Sequence, residues 1–328
     1  MEETKIKLDV KDKKILYELE KDARQSNRII GKKVGVNPDL VRYRINKLIE
    51  KGVIDNFLTF VNFAKLGFTD FGIFVNTRGL TQEKEKEFTT YLKNHQNITY
   101  FAKVGGKYDF IIGILAKDIL HFHTIISQIM NTYGDYISNK DISIRVALFH
   151  FSKDYLIGKK GIGGELPYFG GEIEKVDLDD IDRKILKILS QNARINIVEI
   201  SEKIKIPLST VALRIKKLQN NKIINGFFTW INPLKFGVDN YDVLISFKNV
   251  NKEIENKFYS FCKINEHISW LIKTIGRWDY EIGMEVPNKE KFQEVLSEIR
   301  ENFSEYITNL DFIIIFQTLK YNLYPFER

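Results

Sequence analysis

The hydrophobic pattern is clearest between residues 34 and 54, where it predicts a helix that is buried on one side. Its apolar positions follow helical spacing and form one stripe: Val41, Ile45, Leu48 and Ile49. Asn37 is a favourable N-cap, and Pro38 suits the first helical position. The opposite face carries Asp39, Arg42, Tyr43, Asn46 and Lys47. Such a helix is either an ordinary surface helix with a solvated polar face or one that reads a DNA major groove.

The same pattern occurs twice in the chain. A shift of 170 residues aligns 8–54 with 178–224 without a gap, and 17 of 47 positions are identical. The same shift places Gly106 on Gly276 and Asp109 on Asp279. We interpret the chain as a tandem duplication, in which each copy has a head of about fifty residues and a body of about a hundred.

Each head is predicted to contain three short helices. In the first copy they cover Asp9 to Asp22, Ser26 to Val34 and the helix after Asn37; in the second they cover Asp179 to Gln191, a segment from Asn196 and a segment from about Leu208. A tight turn before the third helix is typical of a helix-turn-helix head.

Each body is predicted to be a mixed helix and strand unit. In the first we expect strands at Phe71–Thr77, Ile98–Val104, Tyr108–Leu115 and Ile142–Phe151, with helices at Glu83–Lys93 and Ile119–Asn131. In the second we expect strands at Tyr241–Phe247, Ile268–Ile275, Trp278–Glu285 and Leu310–Leu319, with helices at Glu253–Cys262 and Lys289–Arg300. The order βαββαβ is the ferredoxin-like arrangement, so the predicted fold class is α+β.

Changes in composition suggest the domain boundaries. We expect helix-turn-helix heads at 1–56 and 177–226, bodies at 57–152 and 227–328, and a Gly-rich linker at 153–176. The bridges Phe57–Gly67 and Phe227–Gly237 are expected to form strands that act as hinges. The linker is expected to be mobile or irregular, with Pro167, Tyr168 and Phe169 docking on a body. It lacks the Gly-Lys-Ser/Thr ending of a phosphate-binding loop.

Composition indicates a soluble protein, and the distribution of charge adds to this picture. No stretch approaches the roughly 20 apolar residues that span a bilayer, and the charged first residues argue against a secretory signal, so we expect a cytoplasmic protein. The single cysteine, Cys262, rules out an internal disulfide framework. Residues 1–56 hold 14 Lys/Arg and 10 Asp/Glu, and residues 177–226 hold 10 and 6. Two separated basic segments are typical of two modules that bind a polyanion.

The third helix of the second copy has a different polar face. It presents Ser209, Thr210, Ala212, Leu213, Lys216 and Lys217, and Pro207 stands where the first copy has its Asn37 cap. Ala212 and Leu213 can touch thymine methyl groups but cannot donate hydrogen bonds to guanine. We therefore predict that the first head reads bases, and that the second mainly contacts phosphates through Lys216 and Lys217. For Arg44 and Arg214, an ion pair within the head and a contact to DNA both remain open.

These motifs together resemble one family of regulators. The run Leu-Asp-x-x-Asp-x-Lys-Ile-Leu, an Ala-Arg pair, a helix-turn-helix that ends near Gly-Val-Ile and a βαββαβ body with Gly-x-Tyr-Asp are similar to the Lrp/AsnC transcriptional regulators. The resemblance implies a DNA-binding head and a ligand-sensing body (called RAM and similar to ACT domains). It also implies bodies that pair through their sheets, further oligomerisation, and small effectors such as amino acids.

Carried over by position, the resemblance makes four turn residues candidates for an effector site: Gly106, Asp109, Gly276 and Asp279. The alternative is a tight turn that merely requires glycine. Family members generally hold one head and one body, whereas this chain joins two of each. We therefore expect an intrachain pseudo-dimer or a homo-oligomer, and a DNA site made of two unlike half-sites.

The sequence offers little support for enzyme chemistry. His121 and His123 point about 200° apart on a helix, so they cannot share a metal. Carboxylates are expected to be dispersed over helix surfaces, and no hydrolase, zinc or dinucleotide motif occurs. We predict no enzyme activity, no cofactor and no metal. Two alternatives remain: an enzyme similar to the siroheme decarboxylases, which bind a tetrapyrrole, with His121 or His123 as acid, and a sensor subunit that does not read DNA.

Overall fold

The structure is a computed structural model, and it describes residues 5–158 and 168–324. The first copy contains α1 (Val10–Lys21), α2 (Asn27–Val34), α3 (Pro38–Glu50), β1 (Ile54–Val61), β2 (Thr69–Thr77), α4 (Gln82–Asn94), β3 (Ile98–Gly106), β4 (Phe110–Ala116), α5 (Ile119–Tyr133) and β5 (Ile137–His150). The short strand β6 (Tyr168–Gly170) follows. The second copy contains α6 (Asp180–Gln191), α7 (Ile197–Ile204), α8 (Leu208–Asn220), β7 (Ile224–Ile231), β8 (Asp239–Phe247), α9 (Lys252–Ile264), β9 (Ile268–Gly276), β10 (Tyr280–Val286), α10 (Lys289–Phe303) and β11 (Ile307–Tyr321). The predicted α+β class and the duplicated order of elements are confirmed.

The head helices begin at side chains that cap their free amide groups. Asp9 forms a capping box with Asp12 at the start of α1, and Asn37 accepts a hydrogen bond of 2.7 Å from the Leu40 amide at the start of α3. Gly35 makes the turn between α2 and α3 with a φ of 74°, and Lys205 takes the same left-handed conformation in the second head with a φ of 55°. These local signals fix the helix-turn-helix geometry of both heads.

The two heads are joined by an antiparallel ribbon of β1 and β7. Each head packs on the strand of the other copy, since Thr59 donates to the Leu189 carbonyl at 2.7 Å and Thr229 donates to the Leu19 carbonyl at 3.0 Å. The hinge segments therefore do form strands, and they hold the heads together.

The two bodies close into one barrel of eight strands. Within each body the strand order is β5-β2-β4-β3 or β11-β8-β10-β9, and the bodies pair edge to edge through β3 with β11 and β5 with β9. Helices α4 and α5 pack on the outer face of the first sheet, and α9 and α10 pack on that of the second. The inner faces of the sheets therefore face each other across the barrel.

The described part of the linker lies against the first copy. Tyr168–Gly170 pairs with β5, and Phe169 is buried between Phe60 and Phe63. The prediction that Tyr168 and Phe169 dock is therefore confirmed, while Pro167 lies outside the described residues. Strand β5 also begins at Ile137, five residues earlier than predicted, because its first residues pair with β2 despite their polar side chains.

Across the described residues, none of the helices is both long and apolar enough to cross a membrane.

Candidate nucleic-acid interface and central cavity

The third helix of the first head buries one face and exposes the other. Val41, Ile45 and Leu48 are buried, whereas all six predicted contact residues are exposed to solvent: Asn37, Asp39, Arg42, Tyr43, Asn46 and Lys47. The assignment of Ile49 to the apolar stripe is wrong, because its side chain is 43% exposed. It stands about 100° from Leu48 around the helix, outside the buried face.

The exposed face of α3 is held by weak local contacts. Arg42 donates to Asp39 at 3.0 Å, and both side chains are largely exposed. The Lys47 ammonium lies 5.9 Å from the centre of the Tyr43 ring. Exposed ion pairs contribute only about 0–1 kcal/mol, so Arg42 can exchange its partner at little cost. Unlike Arg42, Asn37 has a fixed structural role, since its side-chain oxygen already caps the helix.

Arg44 and Arg214 make ion pairs inside the heads. Arg44 donates to Asp9 and to Asp12, each at 2.7 Å, and the hydrogen bond that it donates to Asp9 raises the pKa of the guanidinium. Arg214 likewise pairs with Asp179 and lies 3.3 Å from Asp182. The ion-pair alternative for these residues is thus the one that the structure contains.

Helix α8, the counterpart of α3 in the second head, presents a more apolar face. Ser209, Lys216 and Lys217 are exposed, Thr210 is half-buried, and Leu213 is 67% exposed. Lys217 lies 3.7 Å from Asp182. Pro207 at the start of α8 makes no side-chain cap. The difference between the faces of α3 and α8 therefore persists in three dimensions.

Two arginines fix the heads relative to each other. Arg24 donates to the carbonyls of Ala193 and Ile195 at 2.5 and 3.0 Å, and Arg194 donates to those of Ala23 and Gln25 at the same two distances. Because the contacts are reciprocal, α3 and α8 of the two heads are held at a set separation.

The four predicted effector residues form the turns between the central strands. The Asp109 carboxylate accepts hydrogen bonds from the Thr77 amide at 2.7 Å and the Thr77 hydroxyl at 2.9 Å. Asp279 accepts one of 2.7 Å from the Phe247 amide. Gly106 has a φ of 99°, and a Cβ on Gly276 would lie 2.7 Å from the Ile142 carbonyl oxygen. The residues thus serve the turn itself, and an effector at this turn stays a prediction.

A cavity of about 70 Å³ lies between the inner faces of the sheets, at the end nearest the heads. Its position follows from its walls, which include Glu20 of α1 and Trp230 of β7 as well as barrel strands. Other aromatic walls are Tyr100, Phe169, Trp270 and Tyr321. The cavity therefore touches both the heads and the bodies.

Two residues of the cavity wall, Arg145 and Asp70, belong to a buried network of charges. Arg145 donates to Glu281 at 2.9 Å and lies 3.6 Å from Asp70, while Ser143 donates to Glu281 at 2.8 Å. All four side chains are buried. Arg145 thus bridges the two bodies inside the barrel.

Two further pairs border the cavity. Lys153 pairs with Glu285, which also accepts a hydrogen bond of 2.5 Å from Tyr155. His150 and Glu20 share a hydrogen bond of 2.6 Å, which links the first sheet to α1. The first head is therefore connected to the cavity through polar side chains.

Two cavity carboxyls have unusual acidities. Burial raises the pKa of Asp70 to about 6, although Arg145 acts in the opposite direction. Burial, and then the nearby Glu281, raise the pKa of Asp242 well above its ordinary value. Removing these groups from water disfavours their charged forms.

The expectation that the carboxylates lie on helix surfaces is wrong for this cluster. Asp70, Asp242, Glu281 and Glu285 lie on strands that face the barrel interior. A signal for them exists in the sequence, because Glu281 and Glu285 occupy alternate positions of the otherwise apolar run 280–286. Such positions share one face of a strand, and burial on both faces marks the strand as internal.

The histidines considered as acids lie elsewhere. His123 is exposed on α5, and the ring of His121 accepts a hydrogen bond of 3.2 Å from the Lys117 amide. Neither borders the cavity, whereas His150 does. Over ranges 5–158 and 168–324, no group of three or more His, Cys, Asp or Glu side chains is arranged to hold a metal ion.

Family models match both heads and the first body. A winged helix-turn-helix DNA-binding model matches residues 8–55 and 178–225, and an Lrp/AsnC ligand binding domain model matches residues 72–136. The transcriptional regulator AzlB of Bacillus subtilis is 32% identical over 141 residues, which span 42% of this chain and 88% of AzlB. The proline dehydrogenase transcriptional activator of Rhizobium radiobacter is 23% identical over 145 residues, or 44% of this chain and 92% of the activator.

One solved structure is similar along nearly the whole chain. The siroheme decarboxylase NirDL aligns with a TM-score of 0.59 and 11% identity, covering 95% of this chain and 92% of that one. At this identity the likeness concerns the fold alone.

Proposed function

The chain belongs to the Lrp/AsnC family of transcriptional regulators, and we propose that it is a sequence-specific DNA-binding regulator whose bodies sense a small ligand. The observation that carries the proposal is the α3 face, where Arg42, Tyr43, Asn46 and Lys47 are exposed on a helix that is buried behind them. Arg and Lys pair with guanine and Asn pairs with adenine in a major groove, so these side chains suit base reading.

The two heads have unequal roles in this proposal. Arg42 and Asn46 of the first head can exchange hydrogen bonds with base edges, whereas the second head has Ala212 and Leu213 at the equivalent positions of Arg42 and Tyr43. Lys216 and Lys217 would hold the second head on the phosphates. Because the reciprocal arginine contacts set the separation of the heads, the preferred site would be two unlike half-sites at fixed spacing.

Selection of bound duplexes from a random pool tests the asymmetry. We expect one half-site with strong base preferences beside a weakly specified one. A perfect inverted repeat would contradict the proposed division of roles.

Substitution of the reading face tests DNA recognition itself. Arg42→Ala and Asn46→Ala should each weaken binding of the selected duplex by about 1–3 kcal/mol and relax the preference at one base position. The matched control is Lys93→Ala, which removes an exposed positive charge from α4 in the body. A variant that carries both Arg42→Ala and Asn46→Ala is then compared with the unchanged chain. If the two bound DNA equally at every salt concentration, the chain would be a sensor that does not read DNA.

The fold likeness to siroheme decarboxylase NirDL favours one second candidate, a tetrapyrrole enzyme with its site in the central cavity. We infer that the chain is not such an enzyme, for two physical reasons. The buried carboxylates of the cavity would repel the carboxylates of siroheme, and the cations Arg145 and Lys153 are already paired with Glu281 and Glu285. Titration with siroheme tests this inference: a tight, stoichiometric absorbance shift would favour the enzyme.

A further inference from the structure

Carboxyl groups outnumber permanently cationic groups around the central cavity. Glu20, Asp70, Asp242 and Glu285 border it, against Arg145, Lys153 and the titratable His150. Both cations already have a carboxylate partner, since Lys153 pairs with Glu285 and Arg145 pairs with Glu281. A further cation would favour the ionised forms of the remaining carboxyls, because a nearby positive charge lowers the pKa of a carboxyl group.

Three carboxylate oxygens in this cavity have no hydrogen-bond partner within the described chain. They are Oε2 of Glu20, Oδ1 of Asp70 and Oδ1 of Asp242, and each of these residues is at least 97% buried. A buried polar atom without a partner costs about 1–3 kcal/mol, and more when it is charged. Three such atoms around one cavity indicate that a donor from outside the chain belongs there.

The remaining walls suit an organic cation. The cavity is bordered by Tyr100, Trp230, Trp270 and Tyr321, whose rings can attract a positive charge and cover a short alkyl chain. Trp270 reaches this position because residue 283 is glycine; a Cβ there would lie 2.1 Å from the indole nitrogen. A volume of about 70 Å³ is about half of the roughly 150 Å³ that holds benzene in an engineered protein cavity, so only a small cation fits.

The duplication shows that the fold itself does not require these charges. A shift of 170 residues relates Glu20 to Ser190, Asp70 to Asn240, Asp242 to Gly72, Arg145 to Ile315 and Glu281 to Ile111. The equivalent positions are uncharged, yet both copies form the same barrel half. The charged cluster thus occurs once in the duplicated fold, which is what a single asymmetric ligand site requires.

We propose that the central cavity binds one small organic cation per chain, an alkylammonium or alkylguanidinium group, with Asp242, Asp70 and Glu20 as its acceptors. The inference goes beyond the turn residues considered above, and it names the chemical class of the ligand. Binding of the cation rests on the cavity alone and does not require that the chain bind DNA. The bound cation could also change DNA affinity, because its acceptor Glu20 lies on α1 of the first head. Only this effect rests on the proposed regulatory function.

The test uses the full chain without DNA and two probes of equal length and opposite charge, n-butylammonium and n-butyrate, at constant ionic strength. Tryptophan fluorescence is the readout, because Trp230 and Trp270 border the cavity. We expect a saturable change with one site per chain for n-butylammonium, and for methylguanidinium, together with a higher Tm. We expect neither effect from n-butyrate.

Substitutions then locate the site. Asp242→Asn and Asp70→Asn keep the shape of each side chain and remove its charge, and each should weaken n-butylammonium binding at least tenfold. Glu301→Gln is the matched control, because it removes an exposed carboxylate on α10, away from the cavity, and should leave binding unchanged. Circular dichroism checks that the variants remain folded.

Three results would overturn the proposal: no saturable response to either cation, an equal response to n-butyrate, or unchanged binding in both Asp variants. Any of these would mean that the cavity holds only water. None would bear on DNA recognition, which is measured separately with the α3 variants. Conversely, loss of DNA binding in those variants would leave cation binding intact.

Discussion

The two copies have equivalent residue pairs at the seams where the barrel closes, but different residues around the central cavity. Lys107 pairs with Asp311 at one seam, and Arg277 donates to Asp141 at 2.9 Å at the other. A shift of 170 residues relates these pairs to each other, as it relates Arg24 to Arg194. The contacts that assemble the molecule thus occur twice, whereas the buried carboxylates around the cavity occur once. Buried charges that oppose folding are therefore not repeated between the copies, which separates their role from that of the scaffold.

The largest expected effect comes from the buried arginine that has no equivalent. Arg145→Leu should lower the free energy of unfolding by about 3–5 kcal/mol, because it leaves Glu281 and Asp70 buried beside an apolar side chain. Urea denaturation measures the change. Arg145→Leu combined with Glu281→Gln should recover part of the loss. In contrast, Arg277→Leu at the exposed seam should lower the free energy of unfolding only slightly. If both variants lost the same amount of stability, burial would not distinguish the two sites.

The next effect concerns pH. Because burial raises the pKa of Asp70 to about 6, its protonated form favours folding below pH 4, and this stability is lost as the pH rises through about 6. Asp70→Asn, which copies Asn240 of the other half, should therefore be more stable than the unchanged chain at pH 8 by about 1–3 kcal/mol. Urea midpoints for both proteins between pH 4 and 8 provide the measurement. A constant difference across that range would contradict the raised pKa.

The unequal heads predict a smaller effect on DNA binding. Lys216→Ala should weaken binding similarly for all duplex sequences and should reduce the salt dependence by about one phosphate contact. Anisotropy titrations at several salt concentrations with selected and unrelated duplexes measure both quantities. A sequence-selective loss would instead assign base reading to the second head.

The smallest effect involves the left-handed turn residues of the two heads. Lys205→Gly should raise the free energy of unfolding by up to about 1 kcal/mol, because a side chain at positive φ is strained. Gly35→Ala should lower it by a similar amount, since it creates in the first head the strain that the second already has. Thermal unfolding of each variant measures its change in stability relative to the unchanged chain. Shifts of the same sign would mean that the two turns are not equivalent.

Local signals explain which parts of the fold could be predicted from the sequence. The stripe of Val41, Ile45 and Leu48, together with the Asn37 cap, determines α3 over short distances, and the repeat then places α8. The pairing of β3 with β11 joins residues about 200 positions apart, and nothing near either strand specifies its partner.

The cavity was harder to predict for a different reason. Glu20 and Asp242 are far apart in the sequence, and each resembles an ordinary charged residue until the barrel encloses them. Their unmet hydrogen bonds are a property of the assembled interior. The exposed face of α3 could be predicted from the spacing of residues within one helix. The cavity is formed by both sheets and a head, so no single segment of the sequence predicts it.

The ribbon of β1 and β7 and the two barrel seams form within a single polypeptide. Their formation is therefore unimolecular, and diluting the protein does not separate the two reading helices. The two halves of one chain cannot be exchanged between molecules either, so an altered head always acts beside the neighbour encoded in the same chain.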